Sequence, residues 1–173
     1  MYTETLLWTL GEEVGRKMPQ ANGNRSRTSS ELGILAVRDF MKQAGAADDS
    51  FMQYDGSGLS RHNLVSPDSV IAIYDYMGKR SSFAKAWRDS LTIGGVDGTL
   101  RNRFKGTRGE GNVRGKTGTI NQVSALSGYL TTTGGEEVIF SALVNGIPET
   151  RTRVGLIDEL VMMLVNFNGR VAD

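Results

Sequence analysis

Three stretches near the end of the chain leave few folds open: Asn112 to Thr119, Val123 to Thr132 and Glu137 to Asn145, the last two joined by Thr133-Gly134-Gly135-Glu136. Side chains alternate between faces along a strand, and a short glycine-rich turn returns a chain beside itself, so an antiparallel meander is expected. In the third stretch Val138, Phe140, Ala142 and Val144 lie on one face and Ile139 and Leu143 on the other, so both faces need a cover. Thr150 to Phe167, with Val154, Ile157, Leu160, Val161 and Leu164 at helical spacing, supplies one. The expected class is α/β of the α+β type, an antiparallel sheet flanked by helices.

The part before the sheet, residues 1–105, reads as mainly helical. Leu6, Leu7, Leu10 and Val14 recur at helical spacing over Tyr2 to Lys17, with Gly15 and Pro19 as a stop and no good cap ahead of Tyr2, a start that reads as cut from something longer. Met18 to Arg27 is polar and reads as a loop. A second helix is capped by Ser29 or Ser30 and closed by Gly45, with Leu32, Ile34, Leu35, Val37, Phe40 and Met41 covering much of its circumference. Ser66-Pro67-Asp68 starts a third, which Gly78 ends; a short helix over Ser82 to Asp89 presents Phe83 and Trp87 four apart. Leu91 to Leu100 carries Gly94, Gly95 and Gly98, an irregular backbone expected to pass close to the site.

At 173 residues and 39% hydrophobic content the chain is the size of one domain with a buried core. With no cysteine there is neither a disulfide nor a thiolate metal site, and a single histidine argues against a histidine metal centre, so no metal and no cofactor is expected. A net charge of +1 predicts no particular partner. Arg101 to Lys116 is the local exception, with six cations against Glu110, a net +5; Phe104 is its only aromatic residue, which weighs against single-stranded nucleic acid. No apolar run is long enough for a membrane span and no signal-peptide pattern occurs.

The candidate chemistry sits on Val113-Arg114-Gly115-Lys116-Thr117-Gly118-Thr119. Alternation puts Lys116 and Gly118 on one face and Thr117 and Thr119 on the other, and the two glycines leave room for a ligand backbone beside a cation, hydroxyls and amide donors. That suits an anionic or carbonyl-bearing ligand; the bland reading is a strand with an incidental lysine. A phosphate loop is rejected on spacing. Five residues separate Gly109 from Gly115 where four are needed, Glu110 stands where glycine is required, and a strand pattern follows instead of a helix. A second candidate is Asp55-Gly56-Ser57-Gly58-Leu59-Ser60-Arg61-His62-Asn63, a loop crowded with glycines and small polar groups; its bland reading is a turn built on Asx-type hydrogen bonds with His62 satisfied at the surface.

Taken in order, Thr5-Leu6-Leu7-Trp8-Thr9-Leu10-Gly11, the Asp55 to Asn63 loop, Gly95-Val96-Asp97-Gly98-Thr99-Leu100 with Arg103, and Lys116-Thr117-Gly118-Thr119 followed by Ser124-Ala125-Leu126-Ser127-Gly128-Tyr129 give the chain its resemblance to a family. It resembles the D-alanyl-D-alanine carboxypeptidase/endopeptidase family of low-molecular-mass class C penicillin-binding proteins, serine peptidases of bacterial peptidoglycan. That family uses a Ser-x-x-Lys nucleophile, a Ser-x-Asn and a Lys-Thr-Gly strand, and only the third stands here. The resemblance therefore implies the C-terminal part of a penicillin-binding-protein/β-lactamase-like transpeptidase domain, with the nucleophile and two strands beside Glu137 to Asn145 supplied by an N-terminal portion. Ser82-Phe83-Ala84-Lys85 matches Ser-x-x-Lys literally, but it follows the Asp55 loop and lies on a short polar helix, and is read as chance.

The resemblance assigns Lys116 to recognition of a terminal carboxylate, with proton transfer as a second role, and Thr117 to a hydrogen bond with that carboxylate. Thr119 would offer its backbone N–H as half of an oxyanion hole. Gly118, Ile120, Ser57, Gly58 and Leu59 complete the implied substrate contacts, the last three as a wall of the cleft. The implied activity is serine-type D-Ala-D-Ala carboxypeptidase and endopeptidase action on peptidoglycan stem peptides through an acyl-enzyme, with β-lactams as mimics, in the periplasm or cell envelope. This chain alone would be inactive. The competing expectations are a related β-lactamase or esterase, and a non-catalytic module that binds a carboxylate or muropeptide.

Overall fold

The computed structural model describes residues 2–17 and 27–169, which form two compact units dividing at Ile73 and Tyr74. The predicted loop Met18 to Arg27 lies, but for Arg27, outside the described residues.

The first unit holds α1 (Tyr2–Glu13), α2 (Ser29–Ala44), the two-residue strands β1 (Phe51–Met52) and β2 (Leu64–Val65), and most of α3 (Pro67–Asp75). α1 and α2 touch through their backbones. A Cβ on Gly11 would stand 1.9 Å from the Ser29 carbonyl oxygen and one on Gly33 2.1 Å from that of Leu7, so neither position has room for a side chain. This approach narrows the packed face of α1 to Leu7, Leu10 and Gly11, whereas Leu6 and Val14, predicted to pack, are exposed. The cap of α2 also differs from the prediction. Thr28, not Ser29 or Ser30, accepts from the Glu31 N–H while the Glu31 carboxylate accepts from the Thr28 N–H at 2.8 Å, a reciprocal box that neither serine can form because glutamate does not stand three residues after it. Gly45 closes α2 at φ 98° as expected, and Ser66 caps α3 by accepting from the Ser69 N–H.

The second unit is built on a four-stranded antiparallel sheet in the order β3 (Thr92–Ile93), β4 (Arg114–Ile120), β5 (Val123–Thr131), β6 (Glu137–Asn145). The three long strands are those expected; β3 is an addition. β4 turns into β5 through Asn121 and Gln122, with Gln122 at φ 62°. On one face lies α5 (Thr150–Val165), and between them Leu100, Val113, Leu126, Leu130, Phe140, Ile157, Val161 and Val165 form the core, each worth about 1.5–3 kcal/mol of burial. The other face of β5 is covered by aromatic groups. Tyr129 stands 5.3 Å from Tyr74, Tyr74 meets Trp87 of α4 (Ala84–Asp89) edge-on at 5.2 Å, and Arg88 lies 4.2 Å over the Tyr129 ring while pairing with Glu137 at the start of β6.

Gly78 does not end the third helix. The chain continues from α3 as a π-helical turn, Tyr76–Arg80, and a Cβ on Gly78 would come within 2.4 Å of the Tyr129 hydroxyl oxygen, so the glycine is there for close approach. Phe83, expected to share a face with Trp87, is exposed.

The most demanding buried group is Arg153 of α5, 1% exposed. Its guanidinium donates to the Ser124 hydroxyl at 3.0 Å, to the carbonyls of Ile147 and Pro148, and to the Thr150 hydroxyl at 2.8 Å, all neutral acceptors. It thereby ties the first turn of α5 to β5 and to the loop after β6. Arg153→Met leaves these acceptors unpaired and is expected to lower the unfolding free energy by about 3 kcal/mol. Arg153→Lys should recover little of that loss, because one ammonium cannot reach the same fork of acceptors. Urea unfolding of the protein tests both, and wild-type midpoints in either variant would contradict this account.

Candidate active site

β4 is paired along its whole length on one side only. Against β5 the register runs from Arg114 opposite Tyr129 to Ile120 opposite Val123, whereas β3 covers only Arg114 and Gly115. Among the described residues no strand lies beyond Gly115 on that outer edge. Backbone groups of an antiparallel strand point alternately to either side. The Gly115 carbonyl accepts from the Thr92 hydroxyl at 2.8 Å, on the side of β3, and by the same alternation the N–H and C=O of Thr117 and Thr119 point to the open edge.

The predicted residues along this edge divide by exposure. Lys116, Gly118 and Thr119 are exposed, and Thr117 and Ile120 are half-buried. Lys116 Nζ folds back to donate to the Thr117 carbonyl at 2.6 Å, while the Thr117 hydroxyl donates to the Thr99 hydroxyl at 2.9 Å. A Cβ at Gly118 would meet only the Ala125 Cβ, at 3.7 Å, so the strand surface there is open as expected. Gly115 is different. It is buried, and its Cβ would fall 2.6 Å from the Ser127 carbonyl oxygen, so it serves the packing of β4 on β5 and not ligand access.

Beneath Lys116 the strand is fixed from the aromatic face. The buried Tyr74 hydroxyl donates to the Ser127 carbonyl at 2.9 Å, directly opposite Lys116 in the register. Burial pushes this phenol up to about 12, a shift that the hydrogen bond from the Lys116 backbone N–H opposes without cancelling, so the group remains a neutral donor at physiological pH. Tyr129 in turn donates to the Tyr74 carbonyl at 2.6 Å and accepts from the Trp87 indole N–H at 2.9 Å.

The other predicted contacts, Ser57, Gly58 and Leu59, belong to the first unit. Their loop is organised by Asp55, whose carboxylate accepts from the N–H groups of Gly58 at 2.7 Å and Ser60 at 2.8 Å and from the Asn63 amide at 3.1 Å. Asn63 accepts from the Tyr54 N–H, and the Gly56 N–H donates to Glu4 of α1 at 2.7 Å. This is the Asx-type turn weighed from sequence; His62 is exposed and rests against the Tyr54 ring at 5.0 Å. Leu59 is exposed at the tip. Ser82 precedes α4 and is exposed, and Lys85 pairs with Asp89 at 2.5 Å, an arrangement unlike a buried nucleophile with a lysine beside it. No group of metal-ligating side chains is found among the described residues, and none of their helices is long and apolar enough to cross a membrane. Thr99 and Tyr74, which touch this strand, were not among the predicted site residues; Thr99 entered only as part of the Gly95 to Leu100 run that carries the resemblance.

A family model described as the D-Ala-D-Ala carboxypeptidase 3 (S13) family matches residues 9–166. The D-alanyl-D-alanine carboxypeptidase of Actinomadura sp. (strain R39) is 42% identical over 123 residues, 67% of this chain and 22% of that protein. D-alanyl-D-alanine carboxypeptidase DacB of Haemophilus influenzae is 36% identical over 120 residues, 68% of this chain and 25% of that protein. The crystal structure of penicillin-binding protein 4 (dacB) from H. influenzae, complexed with a β-lactam, superposes with a TM-score of 0.79 at 27% identity, covering 95% of this chain and 38% of that one. The chain thus spans about a quarter of the length of these two curated relatives.

The loop around Asp55 has a defined pH dependence. Burial raises the Asp55 carboxyl, but donors from Asn63, Gly58, Ser60 and Ser57 outweigh it and hold the group below the usual aspartate value. A carboxyl depressed in the folded state stabilises fully above its unfolded value and loses that contribution as pH falls through the folded one. Amide resonances of Gly58 and Ser60 should therefore titrate with a midpoint below about 3.9, the ordinary aspartate value. A midpoint at or above that value would show that the carboxylate does not hold the turn.

Proposed function

Because the chain belongs to the D-Ala-D-Ala carboxypeptidase 3 (S13) family, we propose that it supplies the carboxylate- and oxyanion-binding strand of a serine-type D-Ala-D-Ala carboxypeptidase. The observation that carries this reading is the open outer edge of β4, where a cation, a hydroxyl and two outward backbone amides stand side by side. Substrate would lie along that edge as an added strand. Lys116 Nζ, released from the Thr117 carbonyl, would face the terminal carboxylate, with proton transfer as a second role, and the Thr117 hydroxyl would donate to the same group. The Thr119 N–H would hold the carbonyl oxygen as it becomes negative, a donor worth on the order of 3 kcal/mol in the transition state. Gly118 and Ile120 line the approach, and a contribution from Ser57, Gly58 and Leu59 rests on the resemblance alone.

The nucleophilic serine would come from a further part of the protein, in keeping with the greater length of the relatives. Attack on the D-Ala-D-Ala bond would expel D-alanine, or open a cross-link when the leaving amine is part of another stem peptide, and water would then cleave the acyl-enzyme ester. A β-lactam presents an amide carbonyl and a carboxylate in the same relation and would acylate the same serine. Peptidoglycan as substrate places the protein in the periplasm or cell envelope. β6, the other edge of the sheet, carries Val138-Ile139-Phe140-Ser141-Ala142-Leu143-Val144 with no proline or lysine to block pairing, which suits it to receive strands from that further part.

Two measurements test the reading. The 173-residue chain alone, incubated with a fluorescent penicillin, is expected to gain no mass; an adduct on Ser82 would overturn the placement of the nucleophile. In the full-length protein, Lys116→Ala should slow acylation strongly while changing stability by no more than about 0.5 kcal/mol, as for other exposed side chains. Unfolding of the variant with normal acylation by its folded fraction would make the lysine structural.

A further inference from the structure

Thr99 is exposed, yet the chain around it is held unusually firmly. β3 pairs with the first residues of β4, and Asp97 accepts from the Ile93 N–H at 2.7 Å to close the turn that follows. Gly98 adopts φ 48°, in the left-handed region, and a Cβ there would stand 2.3 Å from the Thr92 methyl, so only glycine fits both the turn and its packing. Leu100 is fully buried in the core, and its carbonyl accepts from the Gly95 N–H at 3.0 Å. Arg103, one turn further, pairs with Asp158 of α5 at 2.6 Å. A residue between Gly98 and Leu100 has little freedom, and what this scaffold delivers is one hydroxyl, 2.9 Å from that of Thr117.

In the resting arrangement the Thr117 proton is turned toward Thr99. A carboxylate at the open edge accepts hydrogen bonds and offers none, so to bind it Thr117 must turn its proton outward, leaving a lone pair toward Thr99. Threonine hydroxyls are rotors that both donate and accept, so Thr99 can reverse the bond and donate to Thr117. The reversed pair is a short chain, Thr99 to Thr117 to carboxylate, in which each bond polarises the next. Without a donor at position 99 the outward rotamer of Thr117 is one of several.

We propose that Thr99 is a positioning residue for carboxylate recognition, acting through Thr117 to select ligands that bear a free carboxylate beside the reacting carbonyl. The inference rests on the assignment of β4 as the carboxylate-binding strand. In the full-length protein, Thr99→Val keeps the shape and removes the hydroxyl, Thr99→Ser restores it, and Thr117→Val tests the strand itself. The readout is the second-order acylation rate with benzylpenicillin and with its methyl ester, which lacks the charge. Thr99→Val is expected to slow benzylpenicillin about fivefold, the scale of one hydrogen bond between neutral groups, to leave the ester rate unchanged, and to be rescued by serine. A Thr99→Val protein that behaves as wild type while Thr117→Val is impaired would overturn the role of Thr99 and leave the strand assignment standing. Equal slowing of both ligands would make Thr99 structural and likewise overturn the proposal. If Thr117→Val itself acylates normally with both ligands, the assignment of the strand falls and the proposal falls with it.

Discussion

The incomplete pairing of β4 is the constraint on which the rest of the second unit depends. A strand whose backbone groups face an open edge is a poor element of stability, since each unpaired N–H or C=O must be solvated or wait for a ligand. β4 carries that edge from Lys116 onward and must be held straight by what lies on its other side and beneath it. β5 meets it residue by residue, and β5 is itself among the most buried elements of the unit. Its α5 face contributes Leu126 and Leu130 to the core, and its opposite face carries Tyr129, clamped by Tyr74 and Trp87. The side chains along the open edge therefore need little burial of their own.

Cations in this unit divide by the same logic. Arg153 is buried and satisfied by several neutral acceptors, so it acts as a structural bolt whose loss would strand polar atoms. Lys116 is exposed and donates to a neighbouring carbonyl, a bond that water can replace at small cost. The basic stretch from Arg101 to Lys116 divides in the same way: Arg103 is tied to Asp158, and Arg108 donates to Thr133 at 3.2 Å. Its surplus charge is thus partly structural, and only its last member stands on the open edge.

Long periodic elements were legible from residue types alone. The meander, α5 and the glycine-closed α2 follow from alternation, helical spacing and Gly45, because these signals act within a few residues of one another. What escaped depends on contacts between distant residues. β1, β2 and β3 are two residues long and exist only through their partners. Gly78 reads locally as a stop, and only the Tyr129 hydroxyl 51 positions later reveals it as a place of close approach. Gly115 reads as access and proves to be packing, since the Ser127 carbonyl that fills the space comes from the paired strand. At the site, Lys-Thr-Gly-Thr was visible as a cation among hydroxyls, whereas the Thr99 hydroxyl beside it came into view only once β3 had folded the glycine-rich turn against the strand.

The literal Ser-x-x-Lys at Ser82 shows why spacing is a weaker guide than setting. A nucleophile activated by a lysine needs that lysine partly desolvated and turned toward it, so that the neutral amine is accessible at working pH. Lys85 meets neither condition: it is exposed, and its Nζ is drawn to Asp89 one turn along α4. Lys85 and Asp89 stand four positions apart, the ordinary geometry of a helical surface pair, and on a polar helix rich in such residues a chance Ser-x-x-Lys is common as well. On β4 the comparison runs the other way. Lys-Thr-Gly is shorter and less specific as a pattern, but its lysine stands on a strand whose outer backbone groups, beyond Gly115, pair with no strand among the described residues, a setting that the exposed pair on α4 lacks.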